Sequence, residues 1–335
     1  MIRLSVREIA RVTGGRMLST DEDVPVSGFC TDSRTMGPGQ FFIALKGKNF
    51  DGHDHIREAV ARGARGIIAE RMTVDYGAGR HRPHIIIVEN TLTAMGQIAG
   101  HIRRKAGIPV VCITGTNGKT TVKDILSHLL SFKYRLLKSR GSFNNLIGVS
   151  LTLFELEPSH EMAVIELGSN HPGEIAHLAR ITAPRAAVIT NIGHGHLEFF
   201  GGREGVFREK VSLLERLPDP GAAFLNGDDD YLSGVRIDAD TRFFGRSRDC
   251  DLRITGIRKQ GTGHGFDLDG ERFFVPLEGE HNVYNAAAAV AAAAYFGMDH
   301  RVIRERLSGV SLPRMRLEKI VVDGILFIND ACNAN

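Results

Sequence analysis

The segment Val110-Val111-Cys112-Ile113-Thr114-Gly115-Thr116-Asn117-Gly118-Lys119-Thr120-Thr121 constrains this chain more than any other. A short apolar run ends in a glycine-flanked turn that closes on Lys-Thr-Thr. Apolar residues then recur at helical spacing (Val122, Ile125, Leu126, Leu129, Leu130). That is a strand, a loop and a helix. Glycines let backbone N–H groups approach an anion, and the new helix turns its positive end towards it. Lys119 is placed to reach the outer phosphates of a nucleoside triphosphate, and the Thr120 hydroxyl is a ligand for Mg2+. Gly115, Thr116, Asn117, Gly118 and Thr121 complete the cradle. The general phosphate-loop pattern asks for a glycine where this chain has Ile113. The loop is the shorter G-x-x-G-K-T, which points to a particular family rather than to nucleotide hydrolases at large.

A length of 335 residues allows two or three domains, and 42% hydrophobic with 24% charged residues is ordinary for a globular protein. The net charge of +3, from 42 basic and 39 acidic residues, is too balanced to argue for nucleic acid or an anionic membrane as partner. No apolar run approaches the roughly 20 residues of a membrane span, so no membrane insertion is expected. Cys30, Cys112, Cys250 and Cys332 are far apart and form no C-x-x-C pair. Reduced thiols, a cytoplasmic location and a monomer are expected.

Alternating strand and helix signals imply an α/β chain in three parts. Residues 1–83 read as a small N-terminal α/β substrate domain, with Ser5 capping a helix from Val6 to Val12 that Gly14-Gly15 ends. Residues 84–313 read as a central, mostly parallel-sheet ATPase domain. It starts with the buried-type strand Ile85–Val88 and the helix Thr91 to Lys105. Within it, residues 241–276, rich in glycine turns, read as an antiparallel meander appended to the sheet. From residue 314 a hairpin is expected, Lys319–Val322 with Ile325–Ile328 around Asp323-Gly324. It reads as the start of a third domain that breaks off at Asn335.

Polar residues gather at predicted strand ends, where open α/β sheets bind ligands. Glu166 ends Ala163-Val-Ile-Glu-Leu167, and His196 follows Ile189-Thr-Asn-Ile-Gly-His-Gly195. With Thr120 they supply carboxylate, imidazole and hydroxyl around a triphosphate, a donor set for Mg2+. Taken singly, Glu166 could cap a helix and His196 could be an ordinary loop histidine. Asn282 and Asn285 share one face at a helix start. Their amides suit an adenine edge, although Asn282 could equally be an N-cap. Thr31-Asp32-Ser33-Arg34 could hold a sugar hydroxyl and a phosphate, or form a turn with a local ion pair. Lys210, on a predicted helix, reads as a solvated surface charge.

Five segments in order resemble the motifs of the Mur ligases, and among them the type that adds D-alanyl-D-alanine. They are Thr114–Asp124, Asn144-Asn145-Leu-Ile-Gly-Val149, Glu166-Leu-Gly-Ser-Asn-His-Pro-Gly-Glu-Ile175, Asn191 through Glu198, and His281-Asn-Val-Tyr-Asn285. The resemblance implies ATP-dependent amide-bond formation through an acyl phosphate. Its partners would be UDP-N-acetylmuramoyl-tripeptide and D-alanyl-D-alanine, in peptidoglycan precursor synthesis. It implies that Lys119 and the loop hold ATP, that Thr120, Glu166 and His196 serve Mg2+, and that Asn282 and Asn285 face adenine. It turns Thr31–Arg34, with Lys46, Asn144 and Asn145, into substrate contacts, and Arg316 and Asp330 into nucleotide contacts of the third domain. Lys210 falls on the family's carbamylated lysine, whose carbamate is an anionic oxygen ligand where a bare ammonium would repel Mg2+. Cys332 stands where the type has tyrosine, and His194 adds a second histidine beside the metal position. A chain ending at Asn335 would, on this resemblance, lack the domain that closes over ATP.

Overall fold

The computed structural model describes residues 2–18, 23–72, 82–311, 318–322 and 325–329. Arg316, Asp323, Gly324, Asp330 and Cys332 lie outside them, so the roles expected of Arg316 and Asp330 have no structural counterpart here. The chain divides into two compact units. One comprises residues 1–108, 143–160 and 180–183, and the other comprises 109–142, 161–179 and 184–335.

In the first unit, among the described residues, five strands run in the order Arg16–Met17, His84–Ile87, Gly66–Ala69, Phe41–Ile43, Phe29–Cys30. All neighbours are parallel except the edge strand Arg16–Met17. Phe42, Ala44, Ile56, Ala59 and Ile67 pack a small core between this sheet and the helix Ile56–Ala61. Ser5 caps the helix Val6–Thr13 with a reciprocal capping box to Glu8, and Gly14 ends it in the left-handed conformation. One boundary differs from expectation. The strand His84–Ile87 pairs with Gly66–Ala69 and belongs to this sheet, not to the larger one. A continuous apolar run marks a buried strand without revealing which sheet receives it. The helix Thr91–Ala106 falls in the same unit.

Among its described residues, the second unit builds a nine-stranded sheet. Its order is Leu136–Lys138, Met162–Glu166, Val110–Thr114, Ala186–Ile189, Ala222–Asn226, Asp240–Gly245, Leu252–Gln260, Gly263–Leu268, Glu271–Val275. The first seven strands are parallel and the last two pairings are antiparallel. The expected meander is therefore only partly antiparallel, because Asp240–Gly245 continues the parallel array. Val110–Thr114, Met162–Glu166 and Ala186–Ile189 are buried at every residue, as a parallel sheet covered on both faces requires. The hairpin Glu318–Val322 with Ile325–Asn329 pairs antiparallel, as its sequence predicts. No helix among the described residues is long and apolar enough to cross a membrane.

The helix His281–Tyr295 packs on the strands Ala222–Asn226 and Asp240–Gly245 and against the helix Lys119–Leu130 that leaves the phosphate loop. Ala286–Ala289 and Ala291–Ala293 are all buried, so the helix is covered all round. Alanine is what lets one helix approach a sheet and a second helix together. Ala289→Leu therefore overpacks this junction. It should lower the unit's stability by about 1–3 kcal/mol, read as a fall in the urea unfolding midpoint at unchanged slope.

Candidate nucleotide and metal site

The second unit's site forms where the central strand Val110–Thr114 ends. The strand is flanked by Met162–Glu166 on one side and Ala186–Ile189 on the other, so three strand ends meet one loop. Gly115 and Gly118 have φ of 136° and 83°, values that disfavour any side chain. A Cβ on Gly115 would run into Thr190 Oγ1, and one on Gly118 would run into Asn285 Oδ1. Both glycines are thus required by conformation and by close approach.

The loop is braced by the segment after Ala186–Ile189. Asn191 accepts from Thr116 N through its carbonyl (3.0 Å) and from Asn117 N through its side chain (3.0 Å). Asn191 Nδ2 and Thr190 Oγ1 both donate to the Asn117 carbonyl, at 3.1 and 2.5 Å. Gly193 N donates to Thr116 Oγ1 at 2.8 Å. Asp229 Oδ2 in turn accepts from Ile192 N (2.7 Å), and Asn226 Nδ2 donates to the Thr190 carbonyl (3.1 Å). The side chain of Lys119 curls over the loop and donates to Gly115 O and Thr116 O at 2.9 and 2.8 Å. Thr120 and Thr121 are buried in the first helical turn.

Glu166 is 1% exposed at the end of its strand, in register with Ile113. Its position beside the loop is therefore set by strand pairing. Lys210 is not a solvated surface residue: it is 4% exposed, and its Nζ donates to Ser169 Oγ at 2.8 Å. Burial, and then the charge of Lys119, bring its ammonium down to about 7 from the ordinary lysine value. The adjacent carboxylate is committed elsewhere. Glu209 accepts from Gly173 N (2.7 Å) and Ile175 N (2.8 Å) at the start of the helix Glu174–Thr182.

His196 stands exposed in the left-handed conformation, φ 55°, before the short helix Leu197–Phe200. His194 is exposed on the same turn, and Gly193 and Gly195 bring that turn against Thr116. Among the described residues no three His, Cys, Asp or Glu side chains cluster as a metal site by themselves. The oxygen donors present, Thr120 and Glu166, fit an ion held by few protein ligands together with substrate phosphates, which is the habit of Mg2+.

Asn282 is not an N-cap, because the helix begins after Glu280. Asn285 Nδ2 donates to Asn282 Oδ1 (2.9 Å), and Asn282 Nδ2 donates to the Glu278 carbonyl (2.7 Å). The pair is buried, with Asn285 facing Gly118. Asn191 and Glu209 are the site residues whose work the sequence left unassigned. Polar residues immediately after a buried strand, and a carboxylate next to Lys210, were the signals available.

The first unit holds a separate cleft of about 450 Å3, walled by Thr31, Asp32, Ser33, Arg34, Phe42, Phe50 and Glu58 among others. Arg34 donates to both carboxylate oxygens of Asp32 (2.9 and 2.7 Å) and holds that carboxyl down to about 2. Ser33 Oγ donates to Glu58 Oε2 at 2.7 Å. The local ion pair and the ligand cleft are thus both present. Lys46 is exposed, and its backbone bridges Asp51 outside the cleft walls. Asn145 caps the helix Leu146–Phe154, accepting from Gly148 N at 2.9 Å, and Asn144 precedes it half-buried.

Comparison with known proteins gives one answer. Residues 25–110 match the family model "Mur ligase family, catalytic domain", and residues 113–293 match "Mur ligase middle domain". The chain is 37% identical over 339 residues to UDP-N-acetylmuramoyl-tripeptide–D-alanyl-D-alanine ligase of Bacillus subtilis, covering all of this chain and 73% of that protein. The crystal structure of MurF from Acinetobacter baumannii superposes with a TM-score of 0.91 at 33% identity, over 99% of this chain and 74% of that one. MurF ligase from Thermotoga maritima, solved with ADP, gives 0.80 at 31% identity over 90% and 70%. The loop, its bracing segment and the buried rim residues fall within the middle-domain match, and the chain belongs to the Mur ligase family.

Proposed function

We propose that this protein joins D-alanyl-D-alanine to UDP-N-acetylmuramoyl-tripeptide at the expense of ATP, as the MurF ligases it resembles are named for doing. The observation that carries the reading is the braced phosphate loop beside buried Glu166 and buried Lys210, in a chain one-third identical to those ligases. The relative crystallised with ADP supports ATP as the nucleotide. A reaction drawing on ATP and a UDP-linked precursor belongs to the cytoplasm.

In this reading the terminal carboxylate of the tripeptide takes the γ-phosphoryl group of ATP, and the resulting acyl phosphate is attacked by the amine of D-alanyl-D-alanine. Positioning and neutralisation of charge carry such a transfer. The loop N–H groups and Lys119 orient the phosphates. Thr120 and Glu166 offer oxygens to Mg2+, with the exposed His194–His196 turn supplying imidazole from beside Thr116. When bound, Mg2+ neutralises charge on the phosphate oxygens. Asn285, set against Gly118, fixes the loop backbone and with Asn282 forms the floor on which the adenine side of the nucleotide is read. Thr31–Arg34 and the more than half-exposed Phe50 receive the uridine diphosphate of the first substrate.

Lys210 serves as a carbamate. A bare ammonium beside Lys119 opposes Mg2+, whereas addition of CO2 to the neutral amine supplies an anionic oxygen donor. Ser169 Oγ, 2.8 Å from Nζ, is positioned to hydrogen-bond it.

Release of inorganic phosphate from ATP should require both UDP-N-acetylmuramoyl-tripeptide and D-alanyl-D-alanine. Equal release with either one omitted would refute the assignment. For the lysine, protein exchanged into 13C-bicarbonate should give one carbamate carbonyl resonance that Lys210→Ala removes. Activity lost in Lys210→Ala, by about two orders of magnitude or more, should return in part with added formate or acetate. An unlabelled protein that keeps full activity would rule the carbamate out.

A further inference from the structure

The second unit carries a cavity of about 560 Å3 that none of this chemistry uses. Its floor is Phe207 and Val211 from the helix Arg203–Val211, Leu214 and Leu217 from the turn that follows, and Val235 and Ile237 from the segment leading into the strand Asp240–Gly245. Phe207 and Val211 lie one turn apart on the helix and Leu214 follows in the next turn, while Glu209 and Lys210 serve the site described above. The volume and the apolar floor are those of a small-molecule pocket rather than of a packing defect.

The rim is charged and one-sided. Glu215, Asp219 and Asp238 line it, and all three are exposed. None of the three makes an ion pair among the described residues. The one rim cation, Arg236, is turned onto its own segment. Its Nη1 donates to Ser233 O (3.0 Å) and Val235 O (2.7 Å), and its guanidinium lies over the Phe243 ring. An apolar floor under three carboxylates and one committed guanidinium complements a molecule with an apolar body and a cationic head.

We propose that this cavity is a second ligand site, distinct from the phosphate loop, for a small organic amine with an aromatic or aliphatic body. The amine head lies among Glu215, Asp219 and Asp238, and the body lies on Phe207, Val211, Leu214 and Val235.

The probes are phenylbutylamine, phenylbutanol and phenylbutyrate, titrated into the 335-residue chain with methyl-labelled Val, Leu and Ile observed by NMR. The amine should shift the methyls of Val211, Leu214 and Val235, and it should bind about five- to tenfold tighter than the alcohol, with the acid weakest. Ala239→Trp, which fills the cavity from its wall, should remove binding of all three. The surface triple variant Glu215→Gln, Asp219→Asn, Asp238→Asn, which leaves the fold's interior untouched, should bring the amine level with the alcohol. Equal binding of amine and acid to the unaltered chain, or shifts confined to methyls elsewhere, would overturn the proposal. So would absence of probe binding combined with self-association that Ala239→Trp abolishes, which would give the cavity to a second copy of the chain.

Discussion

The second unit depends on the hydrogen bonds that hold the phosphate loop from its flank. Thr190 and Asn191 engage the backbone of Thr116 and Asn117 on both its donor and acceptor sides. A glycine-flanked loop left to itself would sample many conformations, and ordering it on nucleotide binding would cost about 1–2 kcal/mol per residue fixed. Here that ordering is already done in the folded chain. Asn226 and Asp229 steady the bracing segment itself. The brace reaches the loop because Ala186–Ile189 pairs directly with Val110–Thr114, so sheet topology and phosphate binding are one constraint seen at two scales.

Around that loop the structure keeps charge where a sequence built for stability alone would not. Glu166, Glu209 and Lys210 are all nearly inaccessible. Glu209 is satisfied by two backbone N–H groups, so its burial supports the helix Glu174–Thr182. Lys210 donates to the neutral Ser169 hydroxyl, and burial together with the charge of Lys119 works against its ammonium form. On the proposed function, Glu166 and Lys210 are the buried charges that answer to chemistry rather than to the fold.

Much of this was legible in the chain. The phosphate loop and its helix, the capped first helix, the alanine-rich helix and the parallel character of the central strands follow from periodicity, glycine placement and capping residues. Other features rest on long-range pairing. His84–Ile87 has the composition of a strand of either sheet, and only its partner Gly66–Ala69 assigns it. Asp240–Gly245 sits in a glycine-rich stretch typical of a meander yet pairs parallel. Lys210 lies between Glu209 and Val211 on a helix with no apolar stripe of the usual kind, so periodicity alone left it on the surface, and only the family resemblance brought it inside. The Asn282–Asn285 pair was seen as two amides on one face. Its hydrogen bond is local to that helix, but its approach to Gly118 exists only once the helix packs against the one that leaves the phosphate loop.

In the proposed reaction the loop and its buried neighbours pass a phosphoryl group to a carboxylate before the amide forms. The direct test follows the carboxylate oxygen. With both oxygens of the tripeptide's terminal carboxylate labelled with 18O, each turnover should leave one label in the released phosphate and one in the new amide. Phosphate free of 18O, at full amide yield, would contradict it.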